Sequence, residues 1–402
     1  MGDPLFSHGV DLGVVVIVLV KVLVAFGFLL VSVMMMIWFE RKVLSDMQNR
    51  IGPNRAGKFG ILQTLADGVK LFLKEDLLPE RADRVVFRIA PFLSVVPAFL
   101  IFAIVPVGGV VTIAHHVVEL QVADPPIGIL FVLALSSVAV YGVMLAGWSS
   151  GSKYPLLGSV RASAQMISYE AALGLTVVTV ILESHGLSTR AIVESQAQYF
   201  WHWNALRLWV VPFVIFFIAG TAELNRPPFD LAEGDTELAG GFHTEYSSIR
   251  FAMFYIAEYM NTITMSAVVV TLFFGGPDGP GFHVVRWLWP ILWFLGKTVV
   301  FLYIQVWIRA ALPRLRYDQL MNLGWKWLIP LSLGWLLLVA ASQISKAWGY
   351  GIFAGIIVAG LMLARARATA RRRRARLAGP ASPVPRGPLV APTLVDGTPV
   401  GG

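Results

Sequence analysis

The stretch LGVVVIVLVKVLVAFGFLLVSVMMMIWF, residues 12–39, decides the fold because it is long enough to cross a bilayer as one helix. A hydrocarbon core of about 30 Å needs about 20 helical residues, and backbone polar groups in lipid must pair within their own segment. Basic residues follow the stretch, at Arg41 and Lys42, but none precedes it. A signal peptide has the opposite flanks, so we interpret 12–39 as a retained first helix.

Eight further apolar stretches repeat this pattern along the chain. The sequence of 402 residues is 56% hydrophobic and only 14% charged, whereas an ordinary soluble domain is about 25% charged. A soluble fold is therefore excluded, and we predict an all-α polytopic membrane protein with about nine transmembrane helices. The other stretches lie near 87–112, 127–147, 162–182, 207–224, 250–274, 287–308, 327–344 and 348–364.

The basic residues predict how these spans are oriented. Loop 40–88 contains ten Lys or Arg, whereas the next loop, 113–126, contains none. Alternate assignment of the loops puts 26 of the 32 basic residues on one side and four on the other, with Lys21 and Lys297 inside spans. We therefore expect the N-terminus outside and the loops 40–88 and 225–250 in the cytoplasm.

The C-terminal region adds a further expectation. Residues 348–364 are mostly apolar, and eight Arg follow position 364. Eight spans would leave these arginines outside, against the basic-residue bias, whereas nine spans put them inside. We therefore divide the chain into a membrane domain, 1–344, an additional transmembrane helix, 345–364, and a basic, disordered cytoplasmic tail, 365–402.

Cysteine is absent, and the seven histidines show no metal-ligand spacing. Disulfides, thiolate zinc sites and cysteine-ligated iron–sulfur clusters are therefore excluded from this chain. We expect it to bind no metal and no redox cofactor of its own.

The first cytoplasmic loop contains a predicted amphipathic helix. Leu62, Leu65 and Val69 recur at helical spacing, and Asp67 and Lys70 occupy another face. Such a helix is too charged to span a bilayer, so it either lies along the membrane surface or lines a cleft. The residues before it, 48–55, are dense in hydrogen-bond donors and turn formers, which is typical of a structured loop.

Carboxylates within the spans are costly in lipid and indicate function. Glu170 and Glu258 lie nine and eight residues beyond the basic residues that mark the inside ends of their spans, or about 13 and 12 Å deep. Lys297 lies within the seventh span, and Glu223 ends the fifth. We predict a polar route from the cytoplasmic face towards the membrane centre, with a static buried ion pair as the alternative for Glu170, Glu258 and Lys297.

A group of acids follows in the second cytoplasmic loop, after two prolines that end the fifth helix. Closely spaced carboxylates do not all ionise cheaply, so some of them are candidates for proton exchange near neutral pH. The alternative is a solvated acidic loop. The group comprises Asp230, Glu233, Asp235, Glu237 and Glu245.

Two signatures in these loops are recognisable. Residues 60–75, GILQTLADGVKLFLKE, and 228–238, PFDLAEGDTEL, resemble a family of membrane subunits, designated H, of proton-translocating NADH-quinone oxidoreductase, which is respiratory complex I. Shorter motifs are similar to the same family, and together they cover about residues 10–344 in the right order. These motifs lie at 146–150, 153–154, 161–165, 168–170, 316–319 and 324–326.

The resemblance implies a non-redox subunit of an H⁺-translocating NADH:quinone oxidoreductase in the cell membrane. It would help form the quinone-binding chamber and couple quinone reduction to proton translocation. Quinone would be the substrate, and FMN and iron–sulfur clusters would lie in partner subunits. The partners implied are hydrophilic-arm subunits, including the one with the terminal iron–sulfur cluster, small membrane subunits and antiporter-like subunits, with no nucleic acid.

The family's functional positions map onto two sets of residues here. The quinone positions fall on Glu40, Arg41, the 48–55 loop with Arg50 and Arg55, Ala66, Asp67 and Lys70. The acids of its proton pathway fall on Glu170, Glu223, Glu233, Asp235, Glu237, Glu245 and Glu258, to which the span analysis adds Lys297.

The sequence departs from the family pattern twice. Asp235 stands where the family usually has Glu, which favours a water-bridged role there, and the sequence beyond 344 has no usual counterpart. Two other functions stay open: the matching subunit of a membrane-bound hydrogenase, and a stand-alone cation/proton transporter. The complete signatures favour the oxidoreductase, and the absence of inverted repeats argues against the transporter.

Overall fold

A computed structural model describes residues 5, 11–113, 116–197, 199–231, 240–280 and 287–345, and residues 351, 355, 362 and 365 singly. Among these residues, seven helices are long and apolar enough to cross a membrane. The prediction of an all-α polytopic membrane protein is confirmed. The helices are α1 (Leu12–Met47), α3 (Arg84–Phe102), α4 (Gly128–Ser149), α5 (Lys153–Ser184), α9 (Ser248–Phe273), α10 (Leu288–Ala311), and α11 (Tyr317–Leu323), which continues through a π turn (Gly324–Leu328) into α12 (Ile329–Ile344).

Shorter elements connect these helices. The amphipathic helix predicted in the first long loop is present as α2. Polar side chains cap several helix starts; Asp83, for example, accepts hydrogen bonds from the backbone amides of Val85 and Val86, which are unpaired within a helix. The shorter helices are α2 (Gln63–Leu73), α6 (Thr189–Gln196), α7 (Asn204–Arg207) and α8 (Val211–Glu223), with 3₁₀ turns at Lys58–Gly60, Phe200–His202 and Gly241–His243.

The fifth predicted span, 207–224, is shorter than expected. Trp209 and Val210 have φ values of 60° and 64°, which interrupts the helix between α7 and α8. α8 therefore has 13 residues, or about 20 Å of helix. The sequence is apolar throughout, so its hydropathy gave no sign of this break.

A β-hairpin, which the sequence analysis did not predict, lies between α3 and α4. Strand β1 (Val110–Ile113) pairs antiparallel with β2 (His116–Glu119), and Val110 lies opposite Glu119. The β-branched residues of both strands favour this conformation. The predicted second span, which was extended to residue 112, ends earlier for this reason, at Phe102.

Helices α5 and α9 form the centre of the bundle. α9 packs against α1, α3, α8 and α10, and α5 packs against α4, α8 and α12. In the most apolar 18 residues of α9, 78% are buried, whereas the corresponding share of α1 is 11%. We name the two ends of the bundle by what they hold: the α2 end, and the opposite hairpin end, which holds β1 and β2.

The predicted ninth span, 348–364, and the predicted tail, 365–402, lie outside the described residues apart from Gly351, Gly355, Met362 and Arg365. The predictions for these two segments are therefore not tested.

Candidate functional site

A group of four charged side chains lies at the α2 end, and we call it the inner charge cluster: the buried Glu40 and Arg226, and the partly buried Glu258 and Arg309. Arg226 Nε donates a hydrogen bond to Glu258 Oε1 at 2.8 Å, and Arg226 Nη1 donates to Glu40 Oε2 at 3.3 Å. Arg309 donates to the other oxygen of Glu40. The side chains of Arg226 and Glu40 are only 6% and 2% exposed, so these charges are stabilised by one another rather than by water.

Two tyrosines extend this cluster. The guanidinium carbon of Arg226 lies 4.3 Å from the ring centroid of Tyr259, within the range of a cation–π interaction. The hydroxyl oxygens of Tyr259 and Tyr255 are 3.2 Å apart. Burial by itself would lower the pKa of Arg226, but the carboxylates of Glu258 and Glu40 reverse this effect and hold that pKa above its ordinary value. Arg226 is therefore a permanent cation.

The loop that carries Arg226 is fixed by contacts on both sides. The Gln165 side-chain amide donates to the carbonyl oxygens of Ala222 and Phe229, each at 2.6 Å. Within the loop, the peptide bond between Pro227 and Pro228 is cis. The Leu315 amide donates to the Pro228 carbonyl at 2.9 Å. The loop is thus held against both α5 and the segment that follows α10.

Two adjoining cavities lead from the inner charge cluster into the bundle. One is lined by polar residues that include Glu258, Asn225 and His243. The other is mainly apolar and is lined by Ser136 near its polar end. Both are lined by Glu223 and Asn261, so these two residues lie where the cavities meet.

The second cavity brings a further predicted acid close to this group. Ser137, next to the cavity-lining Ser136, donates a short hydrogen bond to Glu170 of α5. Asn225 Oδ1 is buried and has no hydrogen-bond partner among the described residues. Because a buried polar oxygen needs a donor, water in the first cavity is expected. The structure therefore brings together three predicted acids: Glu170, Glu223 and Glu258.

A second charged pair lies beside the cluster, between α1 and α2. Arg41 Nη1 donates to Asp67 Oδ2 at 2.6 Å, and Gln63 Nε2 donates to Asp67 Oδ1 at 3.2 Å. The side chains of Arg41 and Asp67 are 39% and 28% exposed, far more than those of Glu40 and Arg226. Because Glu40 and Arg41 are consecutive on one helix, they point about 100° apart: Glu40 towards the bundle interior and Arg41 towards α2.

The outward side of α2 is apolar. Its polar side faces the bundle, where Thr64 donates to the Met34 carbonyl at 3.2 Å. Ala66 and Lys70 are exposed. The exposed apolar side chains are those of Leu62, Leu65, Val69, Phe72 and Leu73.

The loop before α2 is compact. Trp38 Nε1 donates to the Phe59 carbonyl at 3.0 Å. Gly60 has a φ of 75°, and a Cβ there would lie 2.4 Å from the Pro53 carbonyl, so only glycine fits. Two predicted quinone positions in this loop are exposed; Arg50 donates to the Gln48 side chain at 2.7 Å, and Arg55 projects from the turn.

The two long loops are joined at the α2 end. The Leu77 amide donates to Ser247 Oγ at 2.8 Å, and Ser248 Oγ donates to the Leu71 carbonyl at 3.0 Å. The Tyr246 ring is parallel to that of Phe87, with centroids 3.9 Å apart. Burial raises the pKa of Tyr246 to about 12, so its hydroxyl stays protonated. The end of α2 and the start of α9 thus form one packed unit.

Other predicted proton-path residues are placed differently. Glu245 is half-buried in the segment before α9. Glu233, Asp235 and Glu237 lie outside the described residues. Lys297 lies towards the hairpin end, where its Nζ donates to three carbonyl oxygens at 2.8, 3.1 and 2.7 Å, those of Phe274, Gly276 and Asp278.

Sequence reasoning missed two members of the inner charge cluster. In the sequence analysis, Arg226 and Arg309 were counted only among the basic residues at the ends of spans. Their pairing was not visible because Arg226 lies 186 positions from Glu40, and Arg309 lies 269 positions from it. A buried carboxylate needs a cation as its partner. The sequence signal that could have revealed the pairing was therefore the number of basic residues at the α2 end. Among the residues that the structure describes, no group of His, Asp and Glu is placed to hold a metal ion.

The family model for NADH dehydrogenase matches residues 20–340, a range that contains all four cluster residues. The chain belongs to the NADH dehydrogenase family. It is similar to two proteins that are both named as the NADH-quinone oxidoreductase subunit designated H. The one from Frankia alni is 49% identical over 359 residues, which are 86% of this chain and 78% of that protein. The one from Frankia casuarinae is 49% identical over 356 residues, 85% of this chain and 78% of that protein.

Proposed function

We propose that this chain is the membrane subunit of an NADH-quinone oxidoreductase that helps form the quinone-binding chamber and couples quinone reduction to proton translocation. The names of the two relatives support the enzyme complex. The single observation that carries the coupling role is the pair of consecutive residues Glu40 and Arg41. One belongs to the buried charge cluster and the other to the half-exposed pair with Asp67.

The quinone end of this proposal is the region of α2. Arg41 and Asp67 offer a cation and a carboxylate at a place where the apolar face of α2 is exposed. A quinone has a polar headgroup and an apolar tail, and both surfaces meet here. We assign the headgroup region to Glu40, Arg41, Ala66, Asp67 and Lys70, with the loop that carries Arg50 and Arg55 beside it.

The proton end is the series of carboxylates that leads away from the cluster. A change of charge near Arg41 alters the field at Glu40, because charges in a buried site are weakly screened. Glu40 and Glu258 share Arg226, so a change of charge at one carboxylate alters the electrostatic field at the other. Beyond Glu258, the route follows Glu223 and Glu170. Glu245 and, from the sequence alone, Glu233, Asp235 and Glu237 stay predicted members of it. Lys297 stays a prediction, since its described contacts are with carbonyl oxygens at the hairpin end.

The remaining parts of the proposal concern the surroundings of the chain. It would act as a non-redox subunit, with FMN and iron–sulfur clusters in partner subunits of the hydrophilic arm. Small membrane subunits and antiporter-like subunits would adjoin it in the cell membrane. The basic-residue bias supports an α2 end that faces the cytoplasm.

The two alternatives are less well supported. The corresponding component of a membrane-bound hydrogenase would have the same fold, but both relatives are named for a quinone oxidoreductase. A stand-alone transporter would not need the exposed apolar face of α2, which fits contact with lipid or with another subunit.

Glu40→Gln tests the proposal in membranes that contain the whole complex. NADH oxidation is measured with a quinone and, separately, with hexacyanoferrate, which accepts electrons near the NADH site. We expect quinone reduction to fall roughly 10²-fold, because removing one partner of a buried pair costs about 3–5 kcal/mol, and hexacyanoferrate reduction to stay unchanged.

The matched control is Glu183→Gln, which removes a carboxylate paired with Arg207 near the hairpin end. This variant should keep both activities. Full quinone reduction and a normal membrane potential in Glu40→Gln would contradict the coupling role of the cluster.

A further inference from the structure

His243 lines the same cavity as two of the carboxylates that the sequence predicts for the proton path, Glu223 and Glu258. Its ring is half-buried, and the cavity is lined by Glu223, Asn225 and Glu258 as well. The titratable side chains that line this cavity are His243, Glu223 of α8, and Tyr255 and Glu258 of α9; α3, α4 and α5 contribute Ser94, Ala139, Val143 and Met166. Histidine is the one side chain among these with an ordinary pKa, about 6.5, close to neutrality.

The backbone that carries His243 is held firmly. Gly158 of α5 lies so close that a Cβ on it would be 2.9 Å from the Gly241 Cα. Gly241 itself has a φ of 65°, which favours glycine. The Thr244 hydroxyl donates to the Gly241 carbonyl at 2.7 Å. The turn Gly241–His243 is therefore fixed against the helix that carries Glu170.

The ring of His243 is also positioned by aromatic neighbours. Its centroid lies 5.3 Å from that of Phe251 and 4.9 Å from that of Phe242, both at steep interplanar angles. Phe242 in turn packs edge-to-face on Phe254, at 5.3 Å. These contacts fix the plane of the imidazole.

We propose that His243 is a proton-transfer residue that carries protons between water in this cavity and the carboxylates Glu223 and Glu258, which line it. The inference rests on the proposed function and deepens it. One ring nitrogen takes up a proton while the other releases one to water and then to a carboxylate, so only N–H and O–H bonds change and no electron is transferred.

The buried Asn225 oxygen supports water as the intermediate carrier. Asn225 Oδ1 lines this cavity without a partner among the described residues, and a water molecule would supply the missing donor. A chain of water molecules between the imidazole and Glu258 needs polar side chains such as Asn225 along the cavity. Arg226, bonded to Glu258, fixes the position of that carboxylate beside the cavity.

The test compares His243→Asn with His202→Asn in membranes that contain the complete complex. His202 is an exposed histidine of the turn Phe200–His202, at the hairpin end. Quinone reduction, membrane potential and hexacyanoferrate reduction are measured between about pH 5 and pH 8, where imidazole titrates. We expect His243→Asn to lose roughly tenfold in quinone reduction and potential and to lose the pH step of the native complex, while hexacyanoferrate reduction and His202→Asn are unchanged.

A second variant separates proton transfer from structure. His243→Ala leaves space for a small base, so added imidazole should restore potential formation, whereas Tris at the same concentration should not. Loss of the assembled complex in both His243→Asn and His243→Ala would identify a structural residue and overturn the proposal. An assembled variant with a native pH profile, or one without imidazole rescue, would overturn it as well.

Glu258→Gln, measured in the same experiment, distinguishes failure of the role of His243 from failure of the proposed function. If Glu258→Gln loses quinone reduction and His243→Asn does not, the role of His243 fails and the proposed function stands. If both variants keep native quinone reduction and potential, the proposed coupling route itself fails.

Discussion

Arg226 and Lys297 are two cations within the same bundle that are stabilised in different ways. Arg226 bonds to the side-chain carboxylates of Glu258 and Glu40. Lys297 bonds to three backbone carbonyls and lies with its Nζ 5.0 Å from the ring centroid of Trp203. The charge of one carboxylate, that of Asp278, also acts on it. Arg226 is thus held by two carboxylates of the inner charge cluster, whereas the hydrogen bonds of Lys297 go to backbone oxygens. Under the proposed function, we expect only the setting of Arg226 to take part in coupling.

The largest effect is expected at Arg226, since its replacement leaves two carboxylates in the cluster with one cation. Arg226→Gln should lower quinone reduction roughly 10²- to 10³-fold, from a cost of about 3–5 kcal/mol, and should also lower the thermal midpoint of the complex. Quinone reduction and thermal unfolding are measured on the same membranes. Arg226→Lys, which keeps the charge but not the two-sided geometry, should recover part of both, and native behaviour of Arg226→Gln would remove the basis for the comparison.

Lys297→Met should affect stability rather than coupling. It leaves three carbonyl oxygens without their donor, at about 1–3 kcal/mol for each one that stays unsatisfied, so the thermal midpoint should fall. The membrane potential formed per quinone reduced should stay native. A lower membrane potential per quinone reduced, with a native thermal midpoint, would instead place Lys297 in the proton path, as the sequence analysis predicted.

Glu223→Gln should give the opposite pattern to Lys297→Met. Glu223 lines both cavities, but no described contact joins it to Arg226, so the cluster should stay intact and the thermal midpoint unchanged. Without a proton acceptor where the cavities meet, the rate at which the membrane potential forms should fall roughly tenfold. A native rate would restrict the route to the cluster itself.

The smallest effect is expected at the half-exposed pair. Asp67→Asn removes a salt bridge in which Arg41 is 39% exposed, and such pairs contribute about 0.2–1 kcal/mol. The apparent KM for quinone should rise a few-fold at most, with maximal rate and stability unchanged. If Asp67→Asn lowered quinone reduction as much as Arg226→Gln, the difference in burial between the Arg41–Asp67 pair and the Arg226–Glu40 pair would have no functional meaning.

Much of the candidate site was predictable because charged residues are costly in lipid, so the few that occur within apolar spans stand out in the sequence. Glu170, Glu223 and Glu258 stand out in the sequence as acids within or at the ends of apolar spans, and the structure brings them together. His243 was not singled out, because a lone histidine in a polar loop gives no signal until the loop is seen to fold back onto α5. The arginine partners were missed for a related reason, since a basic residue at the end of a span is expected whether or not it is paired.

The fold was predictable to a similar degree. Seven long helices and α2 follow from apolar length and helical periodicity, which depend on local sequence. The break at Trp209 and Val210 and the hairpin β1–β2 do not follow from them. Both occur in apolar segments whose hydropathy fits a continuous helix, and packing around them decides the backbone.

The sequence by itself determined that this chain is a bundle of membrane helices with carboxylates inside it, because the cost of placing polar groups in lipid acts on each segment separately. Only the tertiary structure decided which charge meets which. Glu40 and Arg226 are 186 positions apart, and their pairing depends on how α1, α9, α10 and the loop after α8 pack together. Electrostatic pairing in a buried site depends on distance in space, and that distance is set by helix packing rather than by sequence spacing.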